Sequence, residues 1–513
     1  MNSPVSPRRR SRRNTAAQDT SPSLPQLPYQ QVRSSFAPVA PLSEDQLQAI
    51  HRQSLKIIAE LGVKVLCPDL RRALKAKGCT IRDEIVCMDP GFVEDMVAKA
   101  PSSFTLTPRY PDHAIAVGGN VMNFGLVSGP PSVHDTINGR RSGNFADFKN
   151  LIRLGQSLNC IHFMGNQACA TNDLAVNTRH LDSLLATLTL SDKITSTMSI
   201  GAGRVRDAAQ MLAIARGLTL DELKSSPTAM TNINVNSPRV LDKEMSSAAL
   251  ELASLGQAVI ITPFTLMGAM TPVTFAAALS QQNAEALFTI AVVQSMHPGA
   301  PVVYGGFTSN VDMKSGAPAF GTPENSRANM AGGQLARHYG VPYRTSACNA
   351  SNCVDGQAAY ETQMALWGAV MGQGNMIYHG AGWLEGGLVA SFEKVIMDAE
   401  MLQMMISLTS AQNFDDGDFG FEAMDEVGTG GHFFGCDHTM SRYKSAFYAP
   451  ILSDWSNNES WLEQGGKTAT ERAAVIWQEM LRTYREPALD PAIAEQLNAF
   501  VIRRKLELGA NEP

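Results

Sequence analysis

Short apolar or β-branched runs alternate with longer segments of helical periodicity from residue 121 onward, and loops rich in Gly, Asn, Ser or Pro separate them. The short runs predict eight strands, at residues 121–127, 160–164, 194–200, 229–235, 258–264, 301–306, 343–349 and 375–380. The longer segments predict helices at residues 144–158, 177–188, 204–215, 239–255, 272–296, 323–338, 357–371 and 391–405. Strands that alternate with helices pair in parallel, and eight such units favour a TIM (β/α)8 barrel over a doubly wound open sheet.

The segments on either side of this repeat have a different character. Residues 1–41 contain seven of the 27 prolines and predict a disordered, basic tail. The run from Ser43 to Gln46 predicts a capping box that opens a helix, and Gly62 ends that helix. The prediction is an α/β chain with a tail at 1–41, an N-terminal α+β cap at 42–120, a TIM barrel at 121–411 and a C-terminal helical extension at 412–513.

Charge and cysteine usage narrow the function classes. The chain carries a formal net charge of −6, and because residues 1–40 contribute six arginines and one aspartate, residues 41–513 carry −11. An acidic folded part argues against nucleic-acid binding. Eight scattered cysteines, with no CxxC pair, indicate no disulfide framework. The arginine-rich start lacks an apolar core, so no secretory signal is predicted. Pro263 and Pro272 interrupt the uncharged stretch 252–284, so no membrane span is predicted there. We therefore expect a cytoplasmic protein.

In a barrel of this kind the active site lies at the carboxyl ends of the strands. The residues that follow the predicted strands are mostly amides and aromatic rings, with few charges. Rings attract a quaternary ammonium by about 0.5 to 2 kcal/mol each, and amides can orient the rest of the ligand. The candidate site residues are Asn232, Tyr304, Phe307, Asn349, Tyr378, His379, Trp383 and Glu385.

Other motifs point less clearly to a reaction. The glycine-rich turns at 201–203, 305–306, 380–382 and 386–387 match neither a P-loop nor a dinucleotide-binding fingerprint, and tight turns after strands need glycine in any case. His432, Cys436 and His438 match no standard zinc spacing. The pattern predicts no Ser-His-Asp or Cys-His nucleophile set. Spacing alone therefore indicates a TIM-barrel enzyme whose reaction stays open.

Five segments of the chain carry distinctive motifs, namely YRTSACNASNCVDGQAAYE at 343–361 and NMIYHGAGWLEGG at 375–387, with LSEDQ at 42–46, VVYGG at 302–306 and GGHFFGCDH at 430–438. Together these segments resemble the trimethylamine methyltransferase (MttB) superfamily. The resemblance extends from about residue 28 to the end of the chain. It implies a TIM barrel that moves a methyl group from a methylamine or quaternary amine to the Co(I) of a corrinoid, which a partner protein carries.

The resemblance also has implications for the substrate. The founding trimethylamine enzymes contain pyrrolysine, whereas this chain has only standard residues. Because a quaternary ammonium leaves as a neutral amine without further activation, we expect a glycine betaine-like substrate. Tyr304, Phe307, Tyr378 and Trp383 would face its cationic head. His379, Asn349 or Asn232 would hold its carboxylate, with His379 and Asn349 as the catalytic candidates and Glu385 binding substrate or meeting the partner.

The same resemblance implies a homo-oligomer, no tightly bound cofactor and a corrinoid protein as partner, since the cobalt chemistry belongs to the corrinoid. We expect no metal ligands in the chain itself. Two alternatives stay open. One is a zinc-dependent methyltransferase that activates a thiol through Cys348, Cys353 and a histidine. The other is a barrel that binds a betaine without transferring its methyl group.

Overall fold

A small α+β unit precedes the large sheet. The computed structural model describes residues 24–198 and 200–509. The first elements are β1 (Val32–Arg33), α1 (Glu44–Lys56), β2 (Val63–Val65), α2 (Pro68–Ala76), β3 (Thr80–Arg82), β4 (Ile85–Cys87), α3 (Pro90–Val97), β5 (Ser103–Leu106) and β6 (Ile115–Gly118).

The start of α1 confirms the predicted capping box. The Ser43 side chain accepts a hydrogen bond from the Gln46 backbone N–H, and the Gln46 side chain accepts one from the Ser43 backbone N–H. The helix ends in a wider turn at Ile57–Leu61, and Gly62 follows with φ of 70°. An added Cβ at Gly62 would lie 2.7 Å from the carbonyl oxygen of Val86, so both the backbone angle and the close approach of β4 require glycine here.

The repeating part begins at β7 and ends at α12. Its elements are β7 (Val121–Leu126), β8 (Ser132–Asp135), β9 (Gly139–Ser142), α4 (Phe145–Ser157), β10 (Phe163–Met164), α5 (Arg179–Leu190), β11 (Ile194–Thr195), α6 (Ala202–Arg216), α7 (Leu220–Lys224), β12 (Met230–Val235), β13 (Val240–Leu241), α8 (Lys243–Ser254), β14 (Ala258–Met267), α9 (Phe275–Met296), β15 (Val302–Gly305), β16 (Phe307–Val311), β17 (Pro318–Ala319), α10 (Pro323–His338), β18 (Tyr343–Ser346), α11 (Gly356–Met371), β19 (Met376–Ala381), β20 (Trp383–Leu384), β21 (Val389–Ser391) and α12 (Phe392–Thr409).

A large, mostly parallel sheet organises these elements, which confirms the α/β class. Eight parallel strands lie in the order β11, β10, β7, β19, β18, β15, β14, β12. A parallel bridge between Ser196 and Met230 connects the two ends of this order, and the Thr197 backbone N–H donates to the Met230 carbonyl at 2.8 Å. A second sheet, in the order β20, β21, β8, β9, adjoins the end of β19.

Three predicted boundaries need correction. Only two residues each of the predicted strands 160–164 and 194–200 pair as strand. The predicted helix 239–255 begins at Lys243, because Val240 and Leu241 instead pair with β2 of the N-terminal unit. The β8–β9 hairpin separates β7 from its helix, which the repeat pattern did not predict.

The predicted tail is also corrected over its described part, residues 24–41. Strand β1 pairs antiparallel with β7, and Val32 is buried. The Leu27 backbone N–H donates to the Gln403 side chain at 2.9 Å, and the carbonyl of Gln30 contacts His162 Nε2 at 3.1 Å. The main chain therefore satisfies polar groups of the large sheet and of α12, which proline content alone does not predict. Residues 1–23 lie outside the described part.

Five α-helices follow the repeat in the described part of the chain. They are α13 (Phe421–Val427), α14 (Asp437–Arg442), α15 (Asn458–Glu463), α16 (Ala469–Thr483) and α17 (Pro491–Glu507). Helix α16 packs against α12 and α4, and α17 packs against α6 and α5. The two long helices agree with the expected C-terminal helical segments. Within residues 24–198 and 200–509, no helix is both long and apolar enough to cross a membrane.

Candidate active site

A cavity of about 560 Å³ lies at the carboxyl ends of the parallel strands. Its wall combines aromatic rings, side-chain amides, hydroxyls and one arginine, and no Asp, Glu, Lys or Cys is among its described lining residues. The lining includes the side chains of Asn166, Asn232, Asn234, Asn236, Phe264, Phe307, Phe320, Arg344, His379 and Trp383. The expected position of the site is therefore occupied by a cavity of small-molecule size.

Four aromatic rings form one wall of the cavity. Phe307 stacks on Phe320 with ring centroids 5.3 Å apart and lies 5.0 Å from Phe264. Trp383 meets Phe307 and Phe320 edge to face, at 6.1 and 6.3 Å. Because each ring touches at least one other, the four rings form one continuous aromatic cluster at the cavity wall.

His379 sits on this wall in an unusual backbone conformation. Its φ is 56°, in the left-handed region, and the pairing of β19 with β7 shifts register between Ile377 and Ala381. Such a bulge changes the direction of a side chain, and the strain at a residue other than glycine costs about 1 kcal/mol or more. The imidazole lies 4.1 Å from the Trp383 ring, and neither ring nitrogen has a hydrogen-bond partner among the described residues.

The charge state of His379 follows from its surroundings. Burial, and then the positive charge of Arg344, hold the pKa of His379 well below its ordinary value of 6.5. The imidazole is therefore neutral at physiological pH and does not repel a cationic ligand. A neutral imidazole has one donor and one acceptor nitrogen, and both nitrogens of His379 are buried.

Hydrogen bonds hold Trp383 in place. Its indole N–H donates to the Asn349 carbonyl at 3.2 Å, and the Asn349 side chain donates to the Trp383 carbonyl at 2.6 Å. Asn349 also donates to the Thr362 hydroxyl at 3.1 Å. Gly387 packs so closely on the indole that a Cβ there would lie 2.5 Å from it. The orientation of the indole is thus set from its backbone, its N–H and one face.

A buried ion pair supports the same turn from behind. Lys394 and Asp398 of α12 are in direct contact, and both side chains are essentially inaccessible to solvent. The Gly382 backbone N–H donates to Asp398 at 2.8 Å, and Lys394 Nζ donates to the Thr362 hydroxyl at 2.8 Å. Burial raises the pKa of Asp398 and lowers that of Lys394, while their attraction opposes both shifts. The pair therefore connects α12 to Gly382, which directly precedes Trp383, and to Thr362, which accepts a hydrogen bond from Asn349.

Amide side chains form the other wall. Asn232 and Asn234 project from β12, and Asn236 follows that strand. The Thr262 hydroxyl donates weakly to the side-chain amide oxygen of Asn232 at 3.5 Å, and the Asn166 side chain accepts a hydrogen bond from the Ser128 hydroxyl. These groups can donate or accept hydrogen bonds without carrying charge, so they can orient a polar ligand whether its charge is positive or negative.

Arg344 lies at the inner side of the cavity. It is located within strand β18, its side chain is fully buried, and its guanidinium lies 4.7 Å from the centre of the Tyr378 ring and 5.3 Å from that of Phe307. Its Nε and Nη1 atoms have no hydrogen-bond acceptor among the described residues. Burial lowers the pKa of Arg344 to about 10, so the group stays charged at pH 7.

Helix α9 fixes the loop that borders the amide wall. Glu285 accepts hydrogen bonds from the Ser237 hydroxyl at 2.6 Å and from the Arg239 backbone N–H at 2.9 Å, and Gln281 donates to it as well. Burial raises the pKa of Glu285 to about 6, although these bonds and the charge of Arg239 favour the carboxylate. The loop position therefore depends on a carboxyl group that titrates near neutral pH.

This titration predicts a pH-dependent stability. The folded state keeps the Glu285 proton up to about pH 6, whereas the unfolded chain releases it near 4.5, so the free energy of unfolding falls as pH rises through that window. Between pH 5 and pH 7.5, the free energy of unfolding of the wild type should fall by about 1 kcal/mol relative to that of Glu285→Gln. Guanidinium unfolding of both proteins at the two pH values measures this change. A rise in the free energy of unfolding of the wild type relative to the variant would contradict the prediction.

Four of the sequence-predicted candidates line the cavity together, namely Asn232, Phe307, His379 and Trp383. Tyr304 does not: it is buried on the opposite face of its strand, where its hydroxyl donates to Asn283 of α9 at 2.9 Å. Strand alternation decides this, because the neighbouring Val303 packs inside the sheet with Tyr378.

Three other candidates are also absent from the cavity wall. Tyr378 is buried behind Arg344, which covers its ring. Asn349 is buried, and its side-chain amide nitrogen donates to the Trp383 carbonyl and the Thr362 hydroxyl. Glu385 lies beside the cavity, where its carboxylate pairs with Arg140 at 3.0 Å.

Sequence reasoning missed Arg344, Phe264 and Phe320. Arg344 carried a usable signal, since an arginine inside a predicted buried strand needs a reason to be there. Phe264 ends a predicted strand and is selected by the same carboxyl-end rule that selected Phe307. Phe320 carried no signal, because it reaches the cavity through the β16–β17 hairpin, which the repeat pattern did not predict.

The cysteines give the zinc alternative no ligand set. Among residues 24–198 and 200–509, no three His, Cys, Asp or Glu side chains come together as a metal site. Cys348 is fully buried, and burial raises its pKa to about 12. Cys353 is exposed and contacts Asp355, while Cys436 donates to the carbonyl of Phe433. The proposed zinc ligands are therefore dispersed.

Comparison with known proteins identifies the class. A family model described as trimethylamine methyltransferase (MTTB) matches residues 8–509. A glycine betaine methyltransferase from Desulfitobacterium hafniense (strain Y51) is 35% identical over 469 residues, which cover 91% of this chain and 98% of that protein. The chain therefore belongs to the trimethylamine methyltransferase family, and it is a methyltransferase.

More distant relatives have related names. The trimethylamine methyltransferase MttB of Desulfitobacterium hafniense (strain DSM 10664 / DCB-2) is 26% identical, covering 92% of this chain and 95% of that one. The proline betaine:corrinoid methyltransferase of Eubacterium limosum is 24% identical, covering 90% and 96%. Among solved structures, the hydroxylamine complex of MtmB aligns with a TM-score of 0.51 at 10% identity, covering 88% and 90%, a likeness of fold alone.

Proposed function

We propose that this protein transfers a methyl group from a quaternary amine of the glycine betaine type to the Co(I) of a corrinoid carried by a partner protein. The observation that carries the proposal is a cavity wall of four aromatic rings and a neutral histidine with no carboxylate among the described lining residues. The name of the relative that is 35% identical supports the same substrate class.

The wall suits a cation that has no N–H group. A primary or secondary ammonium loses hydrogen bonds to water on burial and needs a carboxylate or carbonyl acceptor in return. A quaternary ammonium has no donor to satisfy, and ring faces attract it by up to about 2 kcal/mol when water is excluded. Phe264, Phe307, Phe320 and Trp383 line the cavity as one cluster of contacting rings.

The reaction needs no proton transfer from the protein. The C–N bond breaks, its electron pair stays on nitrogen as a neutral tertiary amine, and the methyl group forms a bond to cobalt with the electron pair that Co(I) supplies. The residues of this chain have to bind the amine, exclude water and point one methyl group outward. A neutral His379 therefore fits a role in binding the substrate and not a role as a general acid.

The cavity rim suits an acceptor that arrives on another protein. Ile200 and Leu388 line the cavity and are 49% and 54% exposed. Apolar side chains at an open mouth lose water at little cost when a second surface covers them. A corrinoid presented from outside would meet the methyl group there, and no tightly bound cofactor is then needed.

Three further proposals accompany this function. The bridge between Ser196 and Met230 supports a closed (β/α)8 barrel over residues 121–411, with the cap at 42–120 and the helical extension at 412–513. We propose a homo-oligomer on the basis of family resemblance. A cytoplasmic location agrees with reduced corrinoid chemistry and with eight free cysteines.

The test is methyl transfer to cobalt. Purified protein is mixed with cob(I)alamin, free or on the cognate corrinoid protein, and with glycine betaine, proline betaine, carnitine, choline or trimethylamine. We expect methylcobalamin and the matching tertiary amine to form with a betaine, and trimethylamine to give little or none. Binding of a betaine without transfer to either acceptor would instead establish the binding-only alternative.

A further inference from the structure

Arg344 is a buried cation without an anionic partner among the described residues. It lies in the middle of β18, is 1% exposed, and forms no ion pair with a described carboxylate. The rings of Tyr378 and Phe307 lie against its guanidinium, at 4.7 and 5.3 Å. Removing a charged guanidinium from water costs several kcal/mol, and two ring contacts return part of this cost. The contacts with the described residues therefore do not account for a buried charge at this position.

The side chain of Arg344 borders the cavity from a solvent-inaccessible position. The side chain lines the cavity, and its Nε and Nη1 atoms are buried without an acceptor. Nε and a terminal nitrogen of a guanidinium form the fork that binds both oxygens of one carboxylate. The cavity is therefore bordered by a buried positive charge at Arg344, whereas Leu388, another lining residue, is 54% exposed.

We propose that Arg344 binds the carboxylate of the substrate and thereby selects zwitterionic quaternary amines over simple cations. This inference rests on the proposed function and adds the residue that binds the carboxylate end of the substrate. Attraction draws the carboxylate inward, and repulsion between the guanidinium and the trimethylammonium group keeps that group away from Arg344, toward the rings of Phe264, Phe320 and Trp383. The methyl groups then point toward the rim.

This arrangement has a consequence for specificity. Choline and trimethylamine have a cationic head but no carboxylate, so binding either one leaves Arg344 buried beside a second positive charge. A like charge at close range in a poorly solvated site costs several kcal/mol. The carbon isostere of glycine betaine, 3,3-dimethylbutanoate, has the carboxylate and the shape but no positive charge, and it should bind through Arg344.

Equilibrium binding without corrinoid tests the inference. Calorimetry with glycine betaine and choline is carried out on wild type, Arg344→Gln and Arg344→Lys, with Arg216→Gln as control. Arg216 is a half-buried arginine that contacts Ser226 and Thr228 outside the cavity. We expect Arg344→Gln to reduce the preference for glycine betaine over choline by about 30-fold or more, with Lys restoring part of it and the control unchanged. An unchanged preference in folded Arg344→Gln would overturn the inference.

A second measurement protects the test if Arg344→Gln does not fold. Wild-type protein should bind 3,3-dimethylbutanoate but not 3,3-dimethylbutanol, which has the same apolar group without the carboxylate. Equal binding of the two would overturn the role of Arg344. Failure of the proposed function is a separate result, because it appears as betaine binding without methylcobalamin formation.

Discussion

Asp398→Asn should lower the free energy of unfolding by about 3 to 5 kcal/mol, because it leaves the Lys394 ammonium fully buried without its counter-charge. Asparagine keeps an oxygen that can accept the hydrogen bond from the Gly382 backbone N–H, so the loss reports the charge and not the acceptor. Urea unfolding, followed by tryptophan fluorescence, measures the change. The same variant should weaken glycine betaine binding, since Gly382 directly precedes Trp383.

The matched control for this prediction is the double variant Lys394→Met with Asp398→Asn. Removing both charges abolishes the unpaired ammonium, so the double variant should be more stable than Asp398→Asn alone. If the double variant were less stable than the single variant, with the two losses adding, the ion pair would not be the cause.

Trp383→Leu should weaken binding of glycine betaine by about 30-fold, because a desolvated indole face contributes about 2 kcal/mol to a cation and leucine has no such face. Leucine keeps an apolar surface in the cavity. The neutral isostere 3,3-dimethylbutanoate should therefore lose much less affinity. Calorimetric titration of both ligands measures the ratio, and it separates attraction to the charge from loss of packing.

Trp461→Leu is the control for this experiment. Trp461 lies on α15, outside the cavity, and its indole N–H donates to the carbonyl of Lys467. Its replacement should leave both affinities unchanged. An equal loss for the charged ligand and its neutral isostere in Trp383→Leu would show that the indole acts only by packing.

The helices were largely predictable because their local signals agree with their packing. Helix α10 begins at Pro323 and ends at His338 as expected, since Thr322 caps it and proline suits its first turn. The strands β10 and β11 were predicted too long. An apolar run shows that a segment is buried, but it does not show how many of its residues pair with a neighbour.

The site was predictable in position and only partly in its residues. The carboxyl-end rule selects residues by their place along a strand, whereas the side of the sheet depends on alternation, and this excluded Tyr304. In a regular strand Tyr378 and His379 face opposite sides. The bulge and positive φ at His379 remove that constraint, so the histidine faces the cavity beside a buried tyrosine. No local sequence signal announces such a bulge.

The central claim is that this cavity holds a quaternary amine and delivers its methyl group to cobalt. Glycine betaine labelled with ¹³C in its N-methyl groups, in a single turnover with reduced cognate corrinoid protein, tests it most directly. We predict one labelled methyl group on cobalt for each dimethylglycine formed, as read by mass spectrometry and the methylcobalamin spectrum. Bound but unreacted glycine betaine, or label released as methanol, would contradict the claim.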